Sequence, residues 1–230
     1  MRIGVITFPG SLDDRDAARA VGLAGAEPVA LWHGDRDLRG VDAVILPGGF
    51  SYGDYLRCGA IARFAPVMSE LVPAARSGLP VLGICNGFQI LTEAGLLPGA
   101  LMRNAGLKYI CKQVHLRVET ADSAFTNRLA KGEVLQIPIG HMEGNYFCTP
   151  EDLRRLETED RIAFRYSTPT GEVTPAANPN GSLSNIAGIL NEGRNVLGMM
   201  PHPDRSSEKL LGSADGWKIF ACMVEALAAR

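Results

Sequence analysis

Cys85 is the residue of this chain whose neighbours most invite covalent chemistry. It stands between Gly83 and Gly87 in the run Val81-Leu82-Gly83-Ile84-Cys85-Asn86-Gly87-Phe88-Gln89. G-x-C-x-G is the thiol counterpart of the G-x-S-x-G nucleophile elbow, in which small neighbours let a strand turn sharply into a helix and lift the nucleophile above the sheet. A helix N-terminus carries partial positive charge and favours an anion, and the amide of Asn86 would point to where an oxyanion forms. A buried, inert thiol fits the same local pattern, because most free cysteines behave as small hydrophobes. The elbow by itself leaves both readings open.

A cysteine nucleophile needs a base within reach, and the base needs an orienting group. The segment Met199-Met200-Pro201-His202-Pro203-Asp204 supplies both, with a histidine held between two prolines and a carboxylate two residues later. Cys85, His202 and Asp204 together have the composition of a catalytic triad. Gly48 and Gly49, in Pro47-Gly48-Gly49-Phe50-Ser51-Tyr52-Gly53-Asp54, could bring bare backbone amides to a ligand; a plain tight turn is the competing reading. This is not a nucleotide loop, since the chain contains neither G-x-G-x-x-G nor G-x-x-x-x-G-K-[ST].

Gln89 lies one helical turn beyond Cys85 on the same face, placed to hydrogen-bond a substrate; the alternative is a solvent-facing side chain. His141 and Glu143 follow an apolar run at a strand end, where a structural and a functional role are equally open. No cysteine and histidine pair has ligand spacing, so no metal is expected.

These residues require elements that hold them at one edge. Apolar, branched runs at 3–8, 27–32, 42–46 and 81–84 alternate with helical periodicity at 13–24, 60–76 and 86–95. Ser11 is placed to cap the first helix. Strands are expected through 108–120, 134–139, 161–167, 186–191 and up to residue 200, with a closing helix over 215–229 carrying Trp217, Phe220, Val224 and Leu227 on one face. Strand and helix alternation of this kind gives a mostly parallel sheet covered by helices on both faces, and such sheets place ligands at the carboxyl ends of their strands. Cys85 and His202 both fall at such ends.

Length and composition are consistent. At 230 residues, 46% of them apolar, the chain can bury one α/β core, and with no linker, repeat or low-complexity tract a single domain over 1–230 is expected. A formal net charge of −2 without a basic run excludes a nucleic-acid or anionic-membrane footprint. Five scattered cysteines, odd in number and without a C-x-x-C pair, point to a reduced cytoplasmic setting. No apolar run approaches the length of a membrane span.

The elbow, the Gly48-Gly49-Phe50-Ser51-Tyr52-Gly53-Asp54 loop, Asn178-Pro179-Asn180-Gly181-Ser182 and the ending Met199-Met200-Pro201-His202-Pro203-Asp204-Arg205 together resemble one family, the class I (triad) glutamine amidotransferases. Within that family the loops are similar to the glutaminase subunits of phosphoribosylformylglycinamidine synthases, and the resemblance covers nearly the whole chain. It implies a flavodoxin-like amidotransferase fold, with Cys85 as nucleophile, His202 as base and acid, and Asp204 as the orienting carboxylate. Asp204 stands where the family more often has glutamate, and Met142 where a small residue is expected.

By the resemblance, glutamine is hydrolysed through a cysteine thioester, with Asn86 and the Gly48-Gly49 loop holding the oxyanion. Ammonia then passes to a large synthetase subunit, where ATP and Mg are expected, with a small accessory subunit in the complex. The isolated chain is expected to be a poor glutaminase until the partner orders the glycine loop. A free-standing glutaminase, a γ-glutamyl hydrolase and a non-catalytic scaffold subunit are the competing readings.

Overall fold

The computed structural model describes residues 1–55 and 57–229; positions 56 and 230 of the expected 1–230 domain lie outside the described residues. In chain order the elements are β1 (Arg2–Thr7), α1 (Asp14–Leu23), β2 (Glu27–Trp32), β3 (Ala43–Leu46), α2 (Cys58–Ala62), α3 (Pro66–Arg76), β4 (Val81–Ile84), α4 (Asn86–Glu93), β5 (Ala100–Met102) and β6 (Ile110–Val118). They continue with β7 (Val134–His141), β8 (Asn145–Phe147), α5 (Pro150–Thr158), β9 (Ile162–Ser167), β10 (Ile186–Leu190), β11 (Val196–Met199) and α6 (Asp215–Ala228).

Nine strands form one sheet in the order β2-β1-β3-β4-β11-β10-β9-β6-β7. The pairs from β2 through β11 are parallel, and every pair beyond β11 is antiparallel. Strands β10 and β6 therefore run against the others, and the remaining strands share one direction. The central strands β3, β4 and β11 are buried along their whole length, as unbroken apolar runs covered on both faces must be. Edge strand β7 alternates buried with half-buried positions. Strands β5 and β8 form a separate antiparallel pair, and the core is one continuous cluster running from Ile3 to Met223.

Four details depart from the sequence reading. The helix expected over 60–76 is two, because Pro66 opens α3 and holds Ala65 extended at φ −62° and ψ 141°, the conformation that a following proline favours. Ser11 does not cap α1: Asp13 occupies that position without making a side-chain cap, and the Ser11 hydroxyl pairs with Ser51 at 2.8 Å. On α6 the buried stripe is Gly216, Ile219, Phe220 and Met223; Trp217 sits at its margin, donating its indole N–H to the Leu23 carbonyl at 3.1 Å. Helix α5, opened by Thr149 accepting from the Asp152 amide, was not read from the sequence.

Candidate active site

Strands β4 and β11 are parallel neighbours in register, Ile84 opposite Met199. The segments leaving the two strands therefore emerge side by side at the carboxyl edge. Cys85 leaves β4 at φ 50° and ψ −103°, a conformation that non-glycine residues rarely adopt, and α4 begins at the next residue. The backbone holds it there by bonds on both sides: Cys85 N–H donates to Met199 O at 2.8 Å, and Gln89 N–H donates to Cys85 O at 3.2 Å. Gly87 makes the turn possible, since a Cβ there would stand 2.0 Å from the Leu46 carbonyl oxygen. The thiol is nearly buried and points its Sγ at Gly140 O, 3.8 Å away.

His202 follows β11, its amide donating to Pro138 O on β7 at 2.9 Å. Its imidazole is buried against Gly48, where a Cβ would come within 2.7 Å of His202 Cε1 and 3.0 Å of Cys85 Cβ. The glycine loop is thus the wall on which nucleophile and base both rest, so a side chain at position 48 would displace one of them. Burial alone would lower the His202 pKa, but the charge of Cys85, the Asp13 carboxylate and then Asp204 outweigh it and raise the value well above the ordinary one. The site therefore favours the protonated form of the His202 ring.

Two carboxylates face this ring. Asp204 Oδ1 lies 3.7 Å from His202 Nδ1, whereas Asp13 Oδ2 lies 3.2 Å away. Both are ion-pair contacts, with no linear N–H to O alignment. Asp13, from the loop between β1 and α1, also pairs with the Arg205 guanidinium, which reaches Asp16 Oδ2 at 3.5 Å. Burial would raise the Asp13 pKa, but His202 and Arg205 bring it below the usual carboxylate value. Burial, reinforced by the charge of Asp13, pushes Asp204 up to about 6 against the pull of His202 and Arg205. Asp13, His202 and Asp204 are also the group among the described residues whose donor atoms could meet on a metal, all within 4.8 Å. The Arg205 cation already neutralises that cluster.

Asn86 is fully buried, and its side chain ties the glycine-rich loop to the elbow. Its Oδ1 accepts from Ser51 N–H at 3.1 Å, and its Nδ2 donates to Asp54 Oδ1 at 2.7 Å. As the first helical residue it has no carbonyl four positions back in its own helix to take its backbone N–H, the arrangement an oxyanion donor needs. Gln89 was expected to face substrate. The structure places its amide elsewhere: Oε1 accepts from Asn86 Nδ2 at 3.0 Å and from Cys58 Sγ at 2.8 Å, and Nε2 donates to Glu143 O at 2.7 Å. In this conformation it braces α4 against the 141–144 turn.

His141, at the end of β7, sets its Nδ1 3.0 Å from Asn104 Oδ1, and burial drives its pKa down to about 4, so it is neutral. Glu143 pairs with Arg103 at 3.7 Å. Neither residue lines the pocket over Cys85, which is formed by Asp13, Gly49, Phe50, Asp54, Cys85, Asn86, Tyr109, Gly140, His202 and Arg205. That pocket measures about 20 Å³, room for about one water. Phe50 and Tyr109 stack across it, centroids 6.0 Å apart. A cavity of about 470 Å³ between Arg76, Leu96, Arg155 and Glu192 is far larger, but it lies by the amino ends of β4 and β11 and contains neither nucleophile nor base.

Sequence reasoning brought Cys85, His202, Asp204, Gly48, Gly49 and Asn86 to this place and missed Asp13, Arg205 and Tyr109. The available signal for Asp13 was its position in the loop leaving β1, at the same carboxyl edge where such sheets gather their ligands.

A cysteine on a strained elbow, beside a histidine that follows the adjacent parallel strand, is an arrangement suited to cysteine–histidine nucleophilic chemistry. The chain belongs to the CobB/CobQ-like glutamine amidotransferase domain family, whose model matches residues 1–218. It is 62% identical over 231 residues to the phosphoribosylformylglycinamidine synthase subunit PurQ of Koribacter versatilis, covering 100% of both chains. It is 57% identical to the PurQ subunit of Chlorobium luteolum, covering 98% of each. Among solved structures it is similar to a chain in PurLQS from Thermotoga maritima, at TM-score 0.86 and 44% identity over 98% of both chains.

Proposed function

We infer that the chain is the glutaminase subunit of a phosphoribosylformylglycinamidine synthase: it hydrolyses glutamine to glutamate and ammonia and delivers the ammonia to an ATP-dependent synthetase subunit in purine biosynthesis. The observation that carries this reading is the placement of Cys85 and His202 just beyond the carboxyl ends of adjacent parallel strands with Gly48 between them, in a chain that matches PurQ relatives over its full length.

The Cys85 thiolate attacks the side-chain amide carbon of glutamine, forming the S–C bond and moving the carbonyl π pair onto oxygen. The amides of Asn86 and the Gly48-Gly49 loop hold that oxyanion; one such donor contributes about 3 kcal/mol to the barrier. The tetrahedral centre collapses, the C–N bond breaks, and the His202 imidazolium gives its proton to the departing nitrogen, which leaves as ammonia. Neutral His202 then takes a proton from water as it attacks the thioester. Glutamate leaves and the thiolate returns.

The acceptor chemistry belongs to partners. The chain carries no phosphate-loop motif, and the likeness to a chain of PurLQS supports assembly with a large synthetase subunit, where ATP and Mg act, and a small accessory subunit. Five free cysteines support a reducing cytoplasmic location, and no helix among the described residues is long and apolar enough to cross a membrane. The 20 Å³ pocket supports a resting state that glutamine cannot enter, opened when the partner docks. Phe50, Tyr52, Asp54 and Arg57 all have positive φ, so the loop beside the nucleophile holds strain that another conformation can release.

The test is reconstitution of Cys85→Ala with the large and small subunits. Glutamine-driven synthesis is expected to vanish while ammonia-driven synthesis persists; loss of both, or of neither, overturns the reading. An isolated chain that turns over glutamine as fast as the complex would refute the closed resting state.

A further inference from the structure

The Asn178-Pro179-Asn180-Gly181-Ser182 loop carries part of the family resemblance, yet it does not line the pocket over Cys85. Its polar groups turn inward. Asn178 Oδ1 accepts from the amides of Asn180 at 3.2 Å and Gly181 at 2.8 Å, which folds the loop onto itself. The buried Asn180 side chain then reaches the segment after β7, where its Nδ2 donates to Gly144 O at 2.8 Å. Asn180 O accepts the Ala105 amide at 2.9 Å. Gly181, at φ 88°, permits that approach, since a Cβ there would stand 2.7 Å from Ala105 Cβ.

Asn104, fully buried, makes a second tie closer to the site. Its Nδ2 donates to Lys108 O at 2.8 Å and His141 O at 2.9 Å, while its Oδ1 accepts from the Gly144 amide at 3.2 Å and faces His141 Nδ1 at 3.0 Å. Two carbonyl partners fix which end of the amide is nitrogen, so His141 carries its proton on Nδ1. Between these ties β5 pairs with β8, and Tyr146 of β8 stacks on Phe88 of α4 at 5.8 Å. Residues 100–109 and 140–147 thus form one unit, held against the helix that begins beside the nucleophile. Its end at the site is Gly140 and Tyr109, so close that a Cβ at position 140 would lie 2.9 Å from the Tyr109 hydroxyl.

Gly140 O stands 3.8 Å from Cys85 Sγ, with the thiol as its donor. Once the thiol gives up its proton for attack, that carbonyl oxygen faces an anion and needs a donor in the same place. At the reacting end of glutamine, the carboxamide nitrogen is the group that carries hydrogens. We propose that the carbonyl oxygen of Gly140 accepts an N–H of the glutamine carboxamide, and that Asn104 and Asn180 are the positioning residues that hold it there. This deepens the glutaminase reading and rests on it. With the substrate oxygen on the amides of Asn86 and the Gly48-Gly49 loop and its nitrogen on Gly140 O, the carboxamide plane is fixed. Its carbon is then presented to Sγ and its leaving nitrogen to His202, whose own amide is tied to Pro138 O on the same strand as Gly140. The contact also selects a carboxamide over an ester or a carboxylate, since neither brings a donor to Gly140 O.

The experiment compares Asn104→Ala, Asn180→Ala and Asn195→Ala in the reconstituted complex with its large and small subunits. Asn195 is a control of the same chemistry at the opposite edge of the sheet, where its Nδ2 donates to Ala75 O at 2.7 Å and Leu79 O at 2.8 Å. Hydrolysis of glutamine and of glutamate γ-methyl ester is measured, together with ammonia-driven synthesis. Asn104→Ala and Asn180→Ala are expected to lower kcat/KM for glutamine by about 10- to 10²-fold. The ester, which has no N–H to place, keeps its rate to within about 3-fold, so the ratio of the two substrates falls. Ammonia-driven synthesis is unchanged, and Asn195→Ala keeps the wild-type ratio even where it lowers stability. The proposal is overturned if glutamine and ester fall together, if the ratio is unchanged, or if Asn195→Ala moves it as far. Should the two alanine variants fail to fold, Ser182→Ala decides by the same ratio, because it removes the hydroxyl that accepts the Tyr146 amide at 3.0 Å and lies 3.2 Å from Gly144 O. A fall of about 3-fold supports the proposal and an unchanged ratio refutes it. If the wild-type complex uses ammonia but not glutamine, the glutaminase reading itself fails, a result separate from any change of ratio.

Discussion

The backbone N–H of Cys85 donates to the carbonyl of Met199 at 2.8 Å, so the nucleophile and the segment carrying the base share one rung of the sheet. Three residues after that carbonyl the chain reaches His202. The separation of Cys85 and His202 is therefore set by parallel strand pairing in the buried centre of the fold. The other wall of the site, residues 48–55, is tied to the elbow through the Asn86 side chain.

Gly48→Ala tests that wall. The added Cβ would meet His202 Cε1 at 2.7 Å and Cys85 Cβ at 3.0 Å, and both neighbours are buried and cannot swing aside. Displacement of one reacting group by an ångström costs about 10²-fold. Glutamine-driven turnover of the complex is expected to fall by about that factor, with ammonia-driven synthesis unchanged. Wild-type glutamine kinetics in this variant would show that the loop does not support the pair.

The elbow at Cys85 carries strain that stability measurements can read. At φ 50° and ψ −103° a residue with a Cβ is disfavoured, at a cost of about 1–3 kcal/mol. Glycine adopts that conformation freely but gives back about 0.5–1 kcal/mol in unfolded-chain entropy. Cys85→Gly is therefore expected to be more stable than Cys85→Ala by about 1 kcal/mol in urea unfolding, although neither hydrolyses glutamine. A more stable alanine variant would argue against strain at the nucleophile.

Tyr109 tests whether the pocket is closed by side chains. Its ring stacks on Phe50 over a space of about 20 Å³. Removing it leaves Cys85, His202 and the glycine loop in place. Tyr109→Ala is expected to speed alkylation of Cys85 by iodoacetamide in the isolated chain and to narrow the gap between isolated and assembled glutaminase rates. Unchanged labelling would locate the barrier in the backbone of residues 48–55.

The catalytic edge was legible in the sequence because its signals are local. Apolar runs stop at Cys85 and before His202, small residues flank the thiol, and parallel strands end together. Asp13 was hidden by its own type: an acidic residue in the first turn of a helical pattern reads as a complement to the helix dipole, and only the packed structure shows its side chain turned away from the helix toward His202. Gln89 shows what spacing alone leaves out. Its spacing from Cys85 put it on the right helix, but it could not reveal that Cys58, Asn86 and the Glu143 carbonyl would satisfy the amide. The break between α2 and α3 was readable from Pro66, whereas the β5 and β8 pair is too short for a periodic signal.

Asp204 gives a pH signature with a definite sign. Its folded pKa is raised to about 6 from 3.8, chiefly by burial. A carboxyl group raised in the folded state binds its proton more tightly there than when unfolded, so it contributes most below pH 3.8, and that contribution is lost as pH rises to about 6. The shift of about two units amounts to about 3 kcal/mol. Asp204→Asn removes the titration and leaves a pH-independent amide. The stability of this variant relative to wild type is therefore expected to improve by up to about 3 kcal/mol between about pH 4 and pH 7 and to stay flat above that. His141, neutral with a pKa near 4, titrates in both proteins and cancels in the difference. Chemical denaturation of the two isolated chains across this range is the measurement. A difference moving the other way would mean that Asp204 is charged and stabilised by His202.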